Sequence, residues 1–169
     1  SGALAKLTQL ENSPSSIAWS PDGQTLAFTM KVNAKAPVIA KMPAKPKDAK
    51  WAKAARVTDR LKHEADGRGY LKPGFTHIFT VPSEGGSPRQ LTSGNFNHGG
   101  SLSWAPDGKH IYFSANRSDN WEYEFRNSEV YAVALESGSI TALTDRNGPD
   151  SSPKISPDGK HIAYTGYKD

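Results

Sequence analysis

Apolar and polar residues alternate in two short runs that flank one turn sequence, and this arrangement occurs three times in the 169-residue chain. In the first copy, Ile17 and Trp19 share one face of an extended segment, and Leu26 and Phe28 share one face of the next. The turn between them, residues 20–23, reads Ser-Pro-Asp-Gly. Proline presets φ at the second turn position, and glycine accepts positive φ. Each copy is therefore predicted to be a β-hairpin.

The other two copies cover residues 101–113 and 152–164, with the turns Ala-Pro-Asp-Gly and Ser-Pro-Asp-Gly. A Leu-Thr pair precedes each turn proline at nearly constant distances of 13, 14 and 13 positions, counted from Thr8 to Pro21, from Thr92 to Pro106 and from Thr144 to Pro157. A unit that recurs with its internal spacing kept indicates a repeat architecture.

Two further strands are predicted in each complete unit. They cover residues 76–81 and 88–92 in the first unit, and residues 129–135 and 140–144 in the second. Four short strands in a unit of about 40 to 50 residues are typical of a β-propeller blade. A β-sandwich or an open meander also has short strands, but neither explains why one turn sequence recurs at one place in each unit. The predicted fold class is all-β, a partial β-propeller of four-stranded antiparallel blades.

We expect residues 1–169 to form one partial propeller domain. Its predicted parts are the last strand of a preceding blade (1–8), a blade with a basic insertion at 31–75 (16–92), a second blade (101–144) and the first hairpin of a third blade (152–169). Propellers close with about 4 to 8 blades, so the chain is expected to be a piece of a larger protein. Open blade edges also lead us to expect self-association.

Composition narrows the function classes. The absence of cysteine excludes a disulfide framework and a cysteine nucleophile, and no apolar run is long enough to predict a membrane span. No cofactor and no metal site are predicted. His110 and His161 occupy one repeat position and are expected to pack at strand edges, while His77 is placed in a strand. His63 and His98 are placed in loops without partners.

The basic charge of the chain is concentrated in the insertion. Residues 31–72 contain twelve Lys and Arg against four Asp and Glu, whereas the remainder is acidic. A basic patch is one interpretation, and a solvated loop is the other. Few aromatic side chains accompany these charges, Trp51 standing almost alone, so we favour the solvated loop and predict no nucleic-acid partner.

The turn phrase resembles the propeller repeat of Tol-system periplasmic proteins and of the prolyl-oligopeptidase family of serine peptidases. Other stretches favour the acylaminoacyl-peptidase and dipeptidyl-aminopeptidase branch of the second family. These stretches are residues 56–61, 66–71 (Asp-Gly-Arg-Gly-Tyr-Leu), 77–79, 85–92, 114–117 and 119–124 (Asp-Asn-Trp-Glu-Tyr-Glu).

This resemblance implies a propeller that precedes an α/β-hydrolase domain with a Ser-Asp-His triad and limits access to its active site. The chain has no Gly-x-Ser-x-Gly elbow; Gly100-Ser101-Leu102-Ser103-Trp104 comes nearest and lacks the second glycine. We therefore expect a non-catalytic segment of a serine peptidase, with a C-terminal α/β-hydrolase domain and peptide substrates as its partners. By family analogy the protein would be in the bacterial periplasm or cytoplasm.

The segment at residues 117–127 interrupts the second unit and concentrates aromatic and charged residues. Loops on a rigid scaffold are common places for substrate contacts. The predicted substrate-facing residues are Trp121, Glu122, Tyr123, Glu124 and Arg126. The two carboxylates would hold the amino terminus of a peptide by charge-assisted hydrogen bonds, as propeller glutamates do in some relatives. Alternatively, the aromatic rings pack under the loop and the carboxylates pair with Arg117 and Arg126.

Two other functions stay open at this level. One is a non-enzymatic propeller of the Tol-system type that binds protein partners. The other is an independent short protein that assembles its blades between chains. An α/β-hydrolase sequence downstream of Asp169 would favour the peptidase.

Overall fold

The computed structural model describes residues 5–35, 37–38, 40–41, 43–52 and 55–168. Every regular element in this described part is a β-strand, and no helix there is long and apolar enough to cross a membrane. The strands are β1 (Ser15–Trp19), β2 (Thr25–Asn33), β3 (Glu64–Ala65), β4 (Gly69–Tyr70), β5 (Gly74–Pro82), β6 (Arg89–Gln90), β7 (His98–Trp104), β8 (His110–Ala115), β9 (Glu129–Ala134), β10 (Ile140–Ala142), β11 (Asp150–Ile155) and β12 (Ile162–Gly166).

Eight of these strands form two four-stranded antiparallel sheets. The first blade has the order β1-β2-β5-β6, and the second blade has the order β7-β8-β9-β10. Strands β11 and β12 pair as a third hairpin, and β3 and β4 form a small ribbon inside the insertion. The predicted all-β fold of antiparallel blades is confirmed.

The blades are neighbours in series. Strand β1 packs against β7, and β11 packs against β7 and β8. Between the first two blades lies one apolar core, to which the first blade contributes Ala27 and Ile78 and the second contributes Ile111, Phe113 and Val133. The backbone N–H of Ile155 in the third hairpin donates to Oγ of Ser103, 3.2 Å away in the second blade. This stacking of similar sheets is the propeller arrangement, not a closed two-sheet core.

The central strands of the first blade are longer than predicted. Strands β2 and β5 are nine residues each and pair along their whole length. The segment between these two strands is residues 34–73, which is shorter at both ends than the predicted insertion of 31–75. Apolar alternation continues through Val32, which packs on the blade, and through the buried Phe75, so the ladder extends beyond the repeat.

The recurring serine and aspartate hold the hairpin turn. Oγ of Ser20 donates to Oδ1 of Asp22 and accepts from the backbone N–H of Thr25 at 2.9 Å. Ser156 repeats both bonds in the third hairpin. In the second blade Ala105 stands at this position, so the turn keeps only the bonds made by its aspartate and its backbone.

Each leading strand carries a β-bulge at an equivalent place, marked by a residue with positive φ. These residues are Ser16 (φ 50°), Gly100 (φ 74°) and Ser152 (φ 55°). The bulges of β1 and β11 place three residue steps opposite two on the partner strand, whereas the bulge of β7 places four opposite two. The additional residue of β7 accounts for the 14-position spacing in the middle copy of the repeat.

Residues 1–8 were predicted to be the last strand of a preceding blade. Residues 1–4 lie outside the described part, and residues 5–8 carry no strand in the structure. No strand of the described residues runs beside this segment to form a ladder with it. Instead, Leu7 and Leu10 pack on the face of the first blade turned away from the second, against Phe28 and Phe79.

Leu7 belongs to no strand, but its backbone makes the same kind of contact with a turn glycine as the backbone of Leu91 makes. Leu91 packs into the core of the next blade, and a Cβ placed on Gly138 would stand 3.2 Å from its carbonyl oxygen. A Cβ on Gly85 would stand 3.0 Å from the carbonyl oxygen of Leu7. The segment around Leu7 therefore runs where the last strand of a neighbouring blade runs.

The rest of this face is open. Ile17 is 63% exposed and Trp19 is 57% exposed, whereas Trp104, at the position of Trp19 in the second blade, is 8% exposed. The difference arises because Trp104 has a neighbouring blade against it. The first blade thus presents an apolar surface that another blade would cover.

Candidate functional site

The segment between β8 and β9 is a series of turns on the second blade. The backbone N–H groups of Tyr123 and Glu124 both donate to the carbonyl oxygen of Asn120 at 2.9 Å. The side-chain amide of Asn116, just after β8, donates to the carbonyl oxygen of Glu124 at 2.6 Å. These bonds fix the backbone at Tyr123 and Glu124. The N–H groups of both residues bind one carbonyl oxygen, and the carbonyl oxygen of Glu124 binds the side chain of Asn116.

The aromatic residues of this segment do not share one environment. Trp121 meets Phe75 of the first blade edge to face, with ring centroids 5.9 Å apart. Tyr123 and Phe125 are 76% and 71% exposed. Hence only Trp121 packs inward, and the alternative in which all three rings lie under the loop is wrong.

The charged residues of the segment do not form the ion pairs that the alternative interpretation requires. In the described part of the chain, no ion pair joins Glu122 or Glu124 to Arg117 or Arg126. The Arg126 guanidinium lies 5.4 Å from the ring centroid of Phe125. Oε1 of Glu122 is buried and has no hydrogen-bond partner among the described residues. An unpartnered buried carboxylate oxygen costs free energy, so a bound donor there would be stabilising.

Two cavities adjoin this segment and divide its residues between them. The larger, of about 830 Å³, lies between the insertion and the ends of β2 and β5, and Trp121 forms part of its wall. The smaller, of about 220 Å³, is lined by Tyr123, Glu124 and Arg126 together with residues that precede β11. Glu122 lines neither cavity. The five predicted residues are therefore close in sequence but do not form a single pocket.

A buried histidine pair is the feature that the sequence analysis missed. His98 begins β7 and is fully buried, although it was expected in a loop without partners. Its Nδ1 lies 3.2 Å from Nδ1 of His77, and the Arg117 guanidinium contacts its Nε2. A guanidinium only donates, so Nε2 of His98 accepts and its Nδ1 carries the proton that it donates to His77. The sequence did contain a signal for this burial. His98 is separated by even numbers of residues from the buried Leu102 and Trp104, so strand alternation places all three on one face.

Burial sets the charge state of this pair. Removal from water, together with the Arg117 and His77 charges, lowers the pKa of His98 to about 4. Burial also lowers the pKa of His77. Both imidazoles are therefore neutral at pH 7, which suits a structural link between the two blades.

Other candidate positions are structural. Ser101, in the sequence nearest to a nucleophile elbow, lies inside β7 and not at a strand-to-helix turn. Among the described residues, no group of three or more His, Asp or Glu side chains is placed to hold a metal ion. The buried Asp150 pairs with Arg146, and the hydrogen bond from Arg146 lowers the pKa of that carboxyl.

Comparison with known proteins gives the fold and family. The sequence profile described as "Dipeptidyl peptidase IV (DPP IV) N-terminal region" matches residues 50–168. The uncharacterized peptidase YuxL of Bacillus subtilis (strain 168) is 28% identical over 118 residues, which are 70% of this chain and 17% of that protein. The Tol-Pal system protein TolB of Francisella tularensis subsp. tularensis (strain WY96-3418) is 37% identical over 70 residues, 40% of this chain and 14% of that protein.

A crystal structure of TolB from Acinetobacter baumannii superimposes with a TM-score of 0.50 at 18% identity, covering 94% of this chain and 27% of that one. At this identity the likeness shows the propeller fold alone. The chain spans less than a third of the length of each of these proteins. Because the profile match covers more than half of the chain, the protein belongs to the family of the dipeptidyl peptidase IV N-terminal region.

Proposed function

We propose that this propeller segment serves a serine peptidase of the acylaminoacyl- or dipeptidyl-peptidase type, by lining and gating the approach to an α/β-hydrolase domain. The family match over residues 50–168 is the observation that carries the proposal. The peptidase YuxL, similar over 70% of this chain, also supports it. In this proposal the segment selects and orients peptides, and the hydrolase domain supplies the nucleophile.

Within this role, Glu122 and Glu124 would hold the amino terminus of a substrate peptide. Oε1 of Glu122 is buried and has no hydrogen-bond partner in the described part of the chain. Glu124, two residues later, lines the smaller cavity. An ammonium group in this cavity would donate a charge-assisted hydrogen bond to Glu124, and Glu122 would join it by turning its carboxylate towards the cavity, which it does not line in the structure. The exposed rings of Tyr123 and Phe125 flank Glu124 and would contact the first side chains of the peptide.

The test uses the full-length protein in which, on this proposal, a hydrolase domain accompanies this segment. A short peptide substrate with a free amino terminus is compared with its N-acetylated form. We expect Glu122→Gln with Glu124→Gln to raise KM for the free-amino substrate roughly tenfold and leave the acetylated one unchanged. The matched control, Glu84→Gln with Glu136→Gln, changes two exposed turn carboxylates and is expected to change neither KM. A reading frame without a hydrolase domain, or a protein that cleaves neither peptide, would overturn the proposal.

A second candidate function is a protein-binding propeller of the TolB type. The specific observation in its favour is the open apolar surface at Ile17 and Trp19, which another blade or a second copy would cover. Sedimentation of this chain shows whether the apolar surface binds a second copy. A monomer at high concentration contradicts self-association, and a dimer lost in the variant Ile17→Ser with Trp19→Ser supports it.

A further inference from the structure

The larger cavity has a strongly basic wall. Six cationic side chains line it, namely Lys31, Arg56, Arg60, Lys62, Arg68 and Lys72, against the two carboxylates of Asp59 and Asp66. In the described part of the chain, none of these cations forms an ion pair with a carboxylate. The insertion residues that line this wall lie beside the ends of β2 and β5 and remain largely exposed. The cavity that they border has a volume of about 830 Å³, in the range of small-ligand sites.

Several of the cations are crowded together. The Lys31 ammonium donates a hydrogen bond to the carbonyl oxygen of Lys72. Burial lowers the pKa of Lys31, and the charges of Arg60 and Lys72 lower it further. Like charges held close together without a counter-charge are destabilising, so an anion placed among them would be bound favourably.

Two arginines of the wall are already oriented. The Arg56 guanidinium lies 3.5 Å from the ring centroid of Tyr70, and the Arg60 guanidinium lies 4.2 Å from that of Phe75. Stacking uses the flat face of a guanidinium and leaves its in-plane N–H groups free to donate to a carboxylate in a bidentate manner. Phe75 is itself held by Trp121, which links the cavity to the candidate substrate segment.

From this geometry we propose that the cavity binds the carboxylates of acidic peptides, so that the propeller favours substrates rich in Asp and Glu. The role in substrate selection rests on the proposed function, whereas the binding itself does not. The aromatic rings argue against nucleic acid, because an arginine already lies over one face of Tyr70 and of Phe75, and Trp121 meets Phe75 edge to face. The rings at this wall are therefore engaged by arginines and do not form the row of open aromatic faces on which successive bases stack.

The experiment measures binding to the 169-residue chain. The probe is a fluorescein-labelled tetraglutamate amide, compared with the matched tetraglutamine amide and a short thymidine oligonucleotide. Anisotropy should show binding of the tetraglutamate alone. The variant Arg60→Gln with Lys72→Gln is expected to weaken it roughly tenfold. The control, Lys154→Gln with Lys160→Gln, removes the same charge from exposed positions of the third hairpin and should change binding less than about twofold. Thermal unfolding of both variants checks that the fold is kept.

Three results would overturn the inference: no binding of tetraglutamate, equal weakening in both variants, or tighter binding of the oligonucleotide with loss in the cavity variant. Failure of the proposed peptidase function would give a different set of results from failure of the binding inference. If the chain binds tetraglutamate but the longer protein cleaves no peptide, only the peptidase role is lost. If that protein cleaves neutral peptides and acidic peptides equally well, the selection role of the cavity is lost.

Discussion

The indole Nε1 of Trp104, in the leading strand of the second blade, donates a 3.1 Å hydrogen bond to the backbone carbonyl oxygen of Ala18, in the leading strand of the first. Trp104 is also buried in the core between the two blades. One side chain thus contributes apolar area and a directional bond to the same interface. Trp19, its counterpart in the preceding repeat, has no blade to receive its N–H and stays largely exposed.

We expect Trp104→Phe to lower the free energy of unfolding by roughly 2 kcal/mol, because it loses buried volume and the hydrogen bond to the Ala18 carbonyl oxygen. The matched change Trp19→Phe should cost less than about 0.5 kcal/mol, since its ring is exposed. Urea unfolding followed by circular dichroism measures both. Equal losses would show that the two blades are not joined in this way.

A second pair of substitutions tests the contact between Gly138 and Leu91. Gly138 (φ 71°) and Gly108 (φ 69°) lie in the same blade with almost the same backbone conformation. A Cβ would meet the Leu91 carbonyl oxygen at 3.2 Å in the first case and nothing within 4 Å in the second. Each change to alanine costs roughly 1 kcal/mol of backbone strain, and Gly138→Ala should cost about 1 kcal/mol more.

The measurement is again the free energy of unfolding. The difference between the two variants, and not either value alone, reports the inter-blade contact. If Gly108→Ala proves as destabilising as Gly138→Ala, the approach of the Leu91 strand is looser than described here.

Local signals made most of the fold predictable. Proline and glycine in the turn phrase, together with alternation over four or five residues on each side, specify a hairpin without reference to the rest of the chain. The blade count in this chain followed from repetition. The bulge of β7 was also visible, as the one additional residue in the spacing from Thr92 to Pro106.

The features that were missed depend on contacts distant in sequence. The length of β5 is set by its pairing with β2 across a 40-residue insertion, and Trp121 finds Phe75 only once both blades are in place. His98 was placed in a loop, whereas in the structure it begins β7, and the bulge of that strand contains the two glycines that follow it. The cavity bordered by the basic residues of the insertion was missed for the same reason, because the sequence pattern does not show which part of the fold a loop contacts.

The serine hydroxyl of the hairpin turn can be removed from one blade and added to another, and the two changes should have opposite effects on stability. Ser20→Ala removes two hydrogen bonds made by the hydroxyl of a buried serine and should lower the free energy of unfolding by about 1 kcal/mol. Ala105→Ser supplies the same hydroxyl to the one turn that lacks it and should raise that free energy by a smaller amount. Thermal unfolding of both variants checks the signs. A loss in both would mean that the turn of the second blade differs in shape from the other two.

The last prediction concerns pH. The pKa of His98 is about 4 in the folded chain and near 6.5 when unfolded, so between these values the unfolded state binds the additional proton. The free energy of unfolding should therefore fall as pH is lowered from 6.5 towards 4, by up to roughly 3 kcal/mol, with no further contribution from His98 below that range. His98→Gln keeps an acceptor for Arg117 and should flatten this slope, leaving the part due to His77. His161→Gln, at an exposed position, should leave the slope unchanged. Urea unfolding at a series of pH values decides the matter, and a slope that persists in His98→Gln would assign the pH dependence to other groups.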